Sequence, residues 1–136
     1  MLLTRETDYA MRLLRGLLTG EKRSVGQLSE AEMIPQQFAY KIIKKLNRAG
    51  LVEITRGVEG GCRLSADLEQ VSLYDLMEIV EGCHGVNACM SPDYRCPRRE
   101  RGGCLIHTQL AGLQKKIDDE LRSYDLKTLL TGAAGP

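Results

Sequence analysis

At Gly50 the apolar spacing of the chain switches from the period of a helix to that of a strand, and the order of elements on either side leaves few folds open. Upstream, Phe38, Ile42, Ile43 and Leu46 form one apolar stripe on a helix that Pro35 opens at its first position and Gly50 closes. Downstream, Leu51-Val52-Glu53-Ile54 alternates like a half-buried strand, Gly57-Val58-Glu59-Gly60-Gly61 turns, and Cys62-Arg63-Leu64 returns. Two helices come earlier. Thr4 caps the first, with Glu6 in its first turn and Tyr9, Leu13, Leu14, Leu17 and Leu18 at helical spacing as far as Gly20. Ser24-Val25-Gly26-Gln27 has capping-box spacing and opens a short helix carrying Leu28 and Ala31, with Met33-Ile34 as its exit turn. Helix, turn, helix, hairpin is the order of a winged helix-turn-helix, a mainly α fold with a small β-hairpin wing.

The apolar stripe of the third helix must face the core, which leaves Gln36, Gln37, Tyr40, Lys41, Lys44, Lys45 and Arg48 on its other faces. Gln pairs bidentately with adenine, and Lys or Arg binds guanine or phosphate, so this is the chemistry of a DNA-reading helix. Arg56 at the root of the glycine hairpin, with Gly60 in its turn, is placed like a wing residue that reaches a minor groove or the backbone. The net charge of +1 hides an asymmetry: residues 1–67 hold 11 Lys and Arg against 8 Asp and Glu, and residues 68–136 hold 8 against 10. The positive half is where a polyanion docks.

A fourth helix starts after Ser72, with Asp75 completing its N-terminal signature, carries Leu73, Leu76, Ile79 and Val80, and stops at Gly82. Further on, Ile106, Leu110, Leu113, Ile117 and Leu121 follow at steps of 4, 3, 4 and 4, a narrow stripe on a helix of four to five turns. Such a stripe packs either on the protein's own first helix or against a second copy, and a homodimer that uses both surfaces is expected. The 136 residues suit one domain with appended elements. They divide into a winged helix-turn-helix over 1–82, a cysteine-rich loop over 83–104, a dimerisation helix and C-terminal segment over 105–130, and a flexible tail over 131–136. No apolar run approaches the roughly 20 residues that cross a bilayer, and Met1-Leu2-Leu3-Thr4-Arg5-Glu6 lacks the apolar stretch of a signal peptide, so a cytoplasmic protein with no membrane contact is expected.

Five cysteines are present, and four of them, Cys83, Cys89, Cys96 and Cys104, lie within 22 residues whose larger apolar side chains are Val86, Met90 and little else. A segment of that length without a core of its own needs an internal clamp. Cys89, Cys96 and Cys104 have six and seven residues between them, too far apart for the tight Cys-x-x-Cys knuckle of most zinc sites and suited to the larger reach of an iron-sulfur cluster. Arg95, Arg98, Arg99 and Arg101 would offset the negative charge of thiolate ligands, although a solvated basic loop or a phosphate contact fits them too. Zinc or thiol oxidation, with Cys83 as fourth ligand or disulfide partner, is the alternative sensing chemistry. Cys62 in the wing reads as a small buried hydrophobe. A cysteine-dependent enzyme built on Cys104 and His107 lacks an oxyanion-hole glycine motif and an orienting acid, so no enzyme is expected.

From Leu3-Thr4-Arg5-Glu6-Thr7-Asp8-Tyr9-Ala10, through the wing Arg56-Gly57-Val58-Glu59-Gly60-Gly61, to the three cysteines and the long helix, the chain resembles the IscR/NsrR/CymR-type family of bacterial winged-helix transcription regulators. The resemblance implies that Cys89, Cys96 and Cys104 ligate a four-iron or two-iron cluster near a dimer interface, and that cluster state sets affinity for a palindromic DNA operator. It implies a fourth ligand at either the partner subunit's Asp8 or His107. The spacing of the cysteines is longer than the family's usual five or so, and Cys83 is an additional thiol that would give an all-cysteine site for a cluster or zinc. Tyr40 stands where one branch has a glutamate, so the operator sequence is not carried over.

Overall fold

The computed structural model describes residues 2–82 and 84–132. Its helices are α1 (Arg5–Gly16), α2 (Val25–Glu32), α3 (Gln36–Arg48), α4 (Leu73–Glu81), α5 (Pro97–Glu100), α6 (Leu105–Arg122) and α7 (Leu126–Thr131), and its strands are β1 (Val52–Thr55) and β2 (Gly61–Leu64). The winged helix-turn-helix read from the sequence is the architecture observed. Local chemistry sets the helix starts. Thr4 accepts from the Thr7 N–H, and both Ser24 with Gln27 and Ser72 with Asp75 form reciprocal capping boxes. Gly50, at φ +81, follows the C-cap Ala49 and turns the chain from α3 into the hairpin.

Leu13, Leu14, Leu28, Ile42, Ile43, Leu46, Leu76 and Val80 make the core of α1 to α4, and Val52 and Cys62 close it from the hairpin. β1 and β2 pair antiparallel with Val52 opposite Leu64 and Ile54 opposite Cys62. Arg23, just before α2, adds one rung, donating its N–H to the Cys62 carbonyl at 2.9 Å and accepting the Cys62 N–H at 2.7 Å. That rung ties the root of the wing to the helical core. At the other end of the domain, Glu81 accepts from the hydroxyls of Thr4 and buried Thr7, joining the start of α1 to the end of α4.

Several expectations shift. α1 ends at Gly16 rather than Gly20, so Leu17 reaches the core from a turn in which its N–H bonds the Leu14 carbonyl. Pro35 stands one residue before α3, at its N-cap, where its ring still fixes the entry. Phe38 is 39% exposed, because its ring sits edge-on to Tyr9 at 6.1 Å at the rim of the core instead of within it. Of the residues expected in a flexible tail, Thr131 is the last residue of α7 and Gly132 its left-handed cap, while Ala133 to Pro136 lie outside the described residues. α7 was not anticipated as a separate helix. Asp125 caps it through the Thr128 N–H, and it delivers fully buried Leu126 to the core, so the core draws on a residue beyond position 82.

α6 packs chiefly on α4 rather than on α1, burying Leu121 with Leu73 and Met77, with Ile117 alongside. The first half of its stripe is left bare: Ile106 is 69% and Leu113 47% exposed. No described helix is long and apolar enough to cross a membrane.

Candidate nucleic-acid interface and metal centre

Ala39, Ile42, Ile43 and Leu46 point α3 into the core, so the opposite side of the helix is the line Gln37, Lys41, Lys44, Arg48 at steps of 4, 3 and 4. All four are exposed. Gln36 and Tyr40 flank the N-terminal half of that line and, with Pro35 and Gln37, edge a shallow cleft. Lys45 is turned away. Only 28% exposed, its Nζ donates to the Val80 carbonyl at 2.6 Å and to Glu6 Oε2 at 3.0 Å, which places it in the seam between α3, α4 and the start of α1. Glu6 Oε1 takes Lys41 Nζ, also at 3.0 Å. Lys45 first and Lys41 second hold the Glu6 carboxyl below the usual carboxylate range. Glu6 was not singled out as a site residue, since its only sequence signal, an acid in a first turn, is that of an ordinary helix-dipole partner.

The wing carries Arg56 and Val58 into solvent. Its tight turn depends on Gly60, whose N–H donates to the Gly57 carbonyl at 2.9 Å. A Cβ there would lie 2.4 Å from the Thr55 carbonyl oxygen and 2.8 Å from that of Gly57. Gly60 thus shapes the wing by letting backbone approach backbone. Cys62 is buried under the wing with its Sγ donating to the Arg23 carbonyl at 3.4 Å, and burial pushes its thiol up.

The loop expected over 83–104 contains a 3-10 turn, Ala88–Met90, and the single-turn α5. Cys89 lies in the first; Cys96 and Cys104 occupy the N-caps of α5 and α6. All three are free and partly exposed, while Cys83 lies outside the described residues. Arg99 crosses the segment to the Cys89 carbonyl at 3.2 Å and Arg95 pairs with Glu100. His107, in the first turn of α6, has a buried Nδ1 without a hydrogen-bond partner. Asp8 is already committed, with Arg12 at 2.9 Å.

The donor set fits a metal centre by its chemistry: three thiols outside any disulfide and an orphaned imidazole nitrogen, which are ligands of iron-sulfur or zinc sites. Within one chain they are not gathered. Among the described residues no three His, Cys, Asp or Glu side chains form a metal-sized group.

His84 anchors the start of this segment and was missed, because a lone histidine carries no periodic or spacing signal. Its side chain is 4% exposed and meets the Tyr74 ring edge-on at 4.9 Å, between Glu78 (Nδ1 to Oε1, 3.3 Å) and Asp118 (Nε2 to Oδ1, 4.0 Å). Gln114 completes the anchor, accepting the Val86 N–H and donating to Asp118, both at 2.7 Å. The cysteine segment is therefore fastened to α4 and α6 together.

Comparison with known proteins agrees with the fold. The Rrf2 family model, described as iron-dependent transcriptional regulator, matches residues 3–132. Protein aau3 of Rhizobium meliloti (strain 1021) is 30% identical over 133 residues, covering 96% of this chain and 85% of that protein. The HTH-type transcriptional regulator NsrR of Bacillus subtilis (strain 168) is 28% identical over 127 residues, covering 91% and 82%. Among solved structures, CymR (YrzC), the global cysteine regulator of B. subtilis, superposes with a TM-score of 0.72 at 17% identity over 97% of this chain and 98% of that one, a likeness of fold.

Proposed function

Since the chain belongs to the Rrf2 family of iron-dependent transcriptional regulators, which bind DNA and are not enzymes, we propose that it is a cytoplasmic homodimer whose hold on a palindromic operator is set by an iron-sulfur cluster on Cys89, Cys96 and Cys104. The observation that carries this reading is the placement of three free, partly exposed thiols in one segment fastened to α4 at one end and opening into α6 at the other. His107 is the favoured fourth ligand, being three residues beyond Cys104 with an unpartnered Nδ1, and the partner subunit's Asp8 is the second candidate. When bound, the cluster supplies a clamp sensitive to nitric oxide, oxidants and iron supply.

The chain's own residues do the rest. Ile106 and Leu113, with half-buried Leu110 between them, present the open half of the α6 stripe to a second copy. In the dimer the two α3 helices enter major grooves about one helical turn, roughly 34 Å, apart. Gln36, Gln37 and Tyr40 read base edges, Lys41, Lys44 and Arg48 meet phosphate or guanine, and Arg56 follows the minor groove from the wing. Because residues 83–104 join α4 to α6, ordering them changes how each winged domain sits on the dimer helix, and with it the spacing of the two α3 helices.

The test is the visible absorption, iron and acid-labile sulfide content of protein purified without oxygen, for the natural chain and for C89S, C96S, C104S and H107A. Broad thiolate-to-iron bands with matching sulfide, lost in each cysteine variant, are expected. Colourless protein that holds zinc or no metal and cannot be reconstituted would overturn the cluster and move sensing to zinc or thiol chemistry at Cys83, Cys89, Cys96 and Cys104.

A further inference from the structure

Lys41 lies in the middle of the outward line of α3, yet its ammonium is turned onto Glu6 Oε1 at 3.0 Å, its one charged partner among the described residues. Glu6 is held in place from the other side, because its second oxygen bonds Lys45, itself fastened to the Val80 carbonyl. The carboxylate therefore has little freedom to follow Lys41 outward. Lys41 is more than half exposed and sits on a long flexible stem, so it can leave Glu6 for an anion that approaches α3. Lys44 and Arg48, exposed on the same line, have no acidic partner among the described residues and are free to meet any phosphate backbone.

We propose that Glu6 is a specificity-determining residue that competes with DNA phosphate for Lys41. The proposal rests on α3 being the DNA-reading helix. On a duplex of arbitrary sequence, where α3 does not seat fully, the carboxylate keeps Lys41 and one phosphate contact is withheld. On a duplex whose bases match Gln36, Gln37 and Tyr40, α3 seats, a phosphate comes within reach of Lys41, and the ammonium transfers from carboxylate to phosphate. Non-specific binding is almost wholly electrostatic, so withholding one contact weakens it more than it weakens the specific complex. Glu6 thereby widens the gap between the two without touching a base.

The experiment compares a random-sequence duplex with a duplex enriched by repeated selection on the natural protein, using fluorescence anisotropy between about 50 and 200 mM salt. E6Q is expected to tighten the random duplex about three- to tenfold and to steepen its log–log salt dependence by roughly one, with a smaller gain on the selected duplex. K41Q added to E6Q should erase that gain. In the natural Glu6 background, K41Q alone should lower the salt slope on the selected duplex and leave it nearly unchanged on the random one, which tests the idea even if E6Q fails to fold. Unchanged or weaker random-duplex binding by folded E6Q, or equal slope losses by K41Q on both duplexes, overturns the competition. K44Q serves as the reference for the underlying reading: if it leaves both duplexes unaffected, α3 is not the DNA helix, a failure distinct from that of Glu6.

Discussion

Lys45 donates to the Val80 carbonyl at 2.6 Å, so a side chain that the sequence groups with the exposed Lys41 and Lys44 instead caps the last turn of α4. Replacing it strands that carbonyl and the second oxygen of Glu6. K45M should lower folding stability by about 1–3 kcal/mol in urea denaturation, the scale of a charge-assisted hydrogen bond. K44M, one residue away on the free face, should leave stability within about 0.5 kcal/mol and weaken DNA binding instead.

The wing depends on Gly60 having no side chain. G60A would put a Cβ 2.4 Å from the Thr55 carbonyl oxygen and force the turn open. Helical circular dichroism should be unchanged, because the core of α1 to α4 is not involved, while DNA affinity should fall at least about tenfold, or ~1.4 kcal/mol.

The bare half of α6 predicts association. I106E and L113E place charge on the exposed stripe, and each should raise the dimer dissociation constant at least about a hundredfold, or ~2.7 kcal/mol, in sedimentation experiments. A retained dimer in both variants would mean that two copies meet through another surface.

Cys62 gives a pH signature. Its thiol is raised by burial, so above the unfolded value of about 8.5 the folded chain keeps a proton that the unfolded chain releases. This contribution is whole below that pH and is lost as pH rises toward the folded value. The urea midpoint of the natural protein should therefore decline more between about pH 8 and 10 than that of C62A. In folded, metal-free protein iodoacetamide should label Cys89, Cys96 and Cys104 and spare Cys62, as read by peptide mass spectrometry.

What the sequence reveals of this fold is what short-range chemistry writes into it. Ser24 with Gln27 and Ser72 with Asp75 announce their helices because a capping box needs only four consecutive residues. The change of period at Gly50 announces the hairpin for the same reason. The reach of Lys45 to Val80, 35 residues on, and of Lys41 to Glu6, 35 residues back, has no such signature, since it depends on how α1, α3 and α4 dock. α7 is six residues long, too short for periodicity to show, and is stabilised by Asp125 and by the burial of Leu126. Cysteine spacing singles out Cys89, Cys96 and Cys104 as the proposed ligands but says nothing of their convergence, which one folded chain does not bring about among its described residues.

The most direct measurement is the affinity of the dimer for a selected operator duplex, taken without oxygen, before and after the metal is stripped by a chelator, with stability followed in parallel. Control by the cluster predicts a difference of at least about tenfold between the two forms with both still folded, and loss of that difference in C96S. Equal affinities of loaded and stripped protein would contradict it.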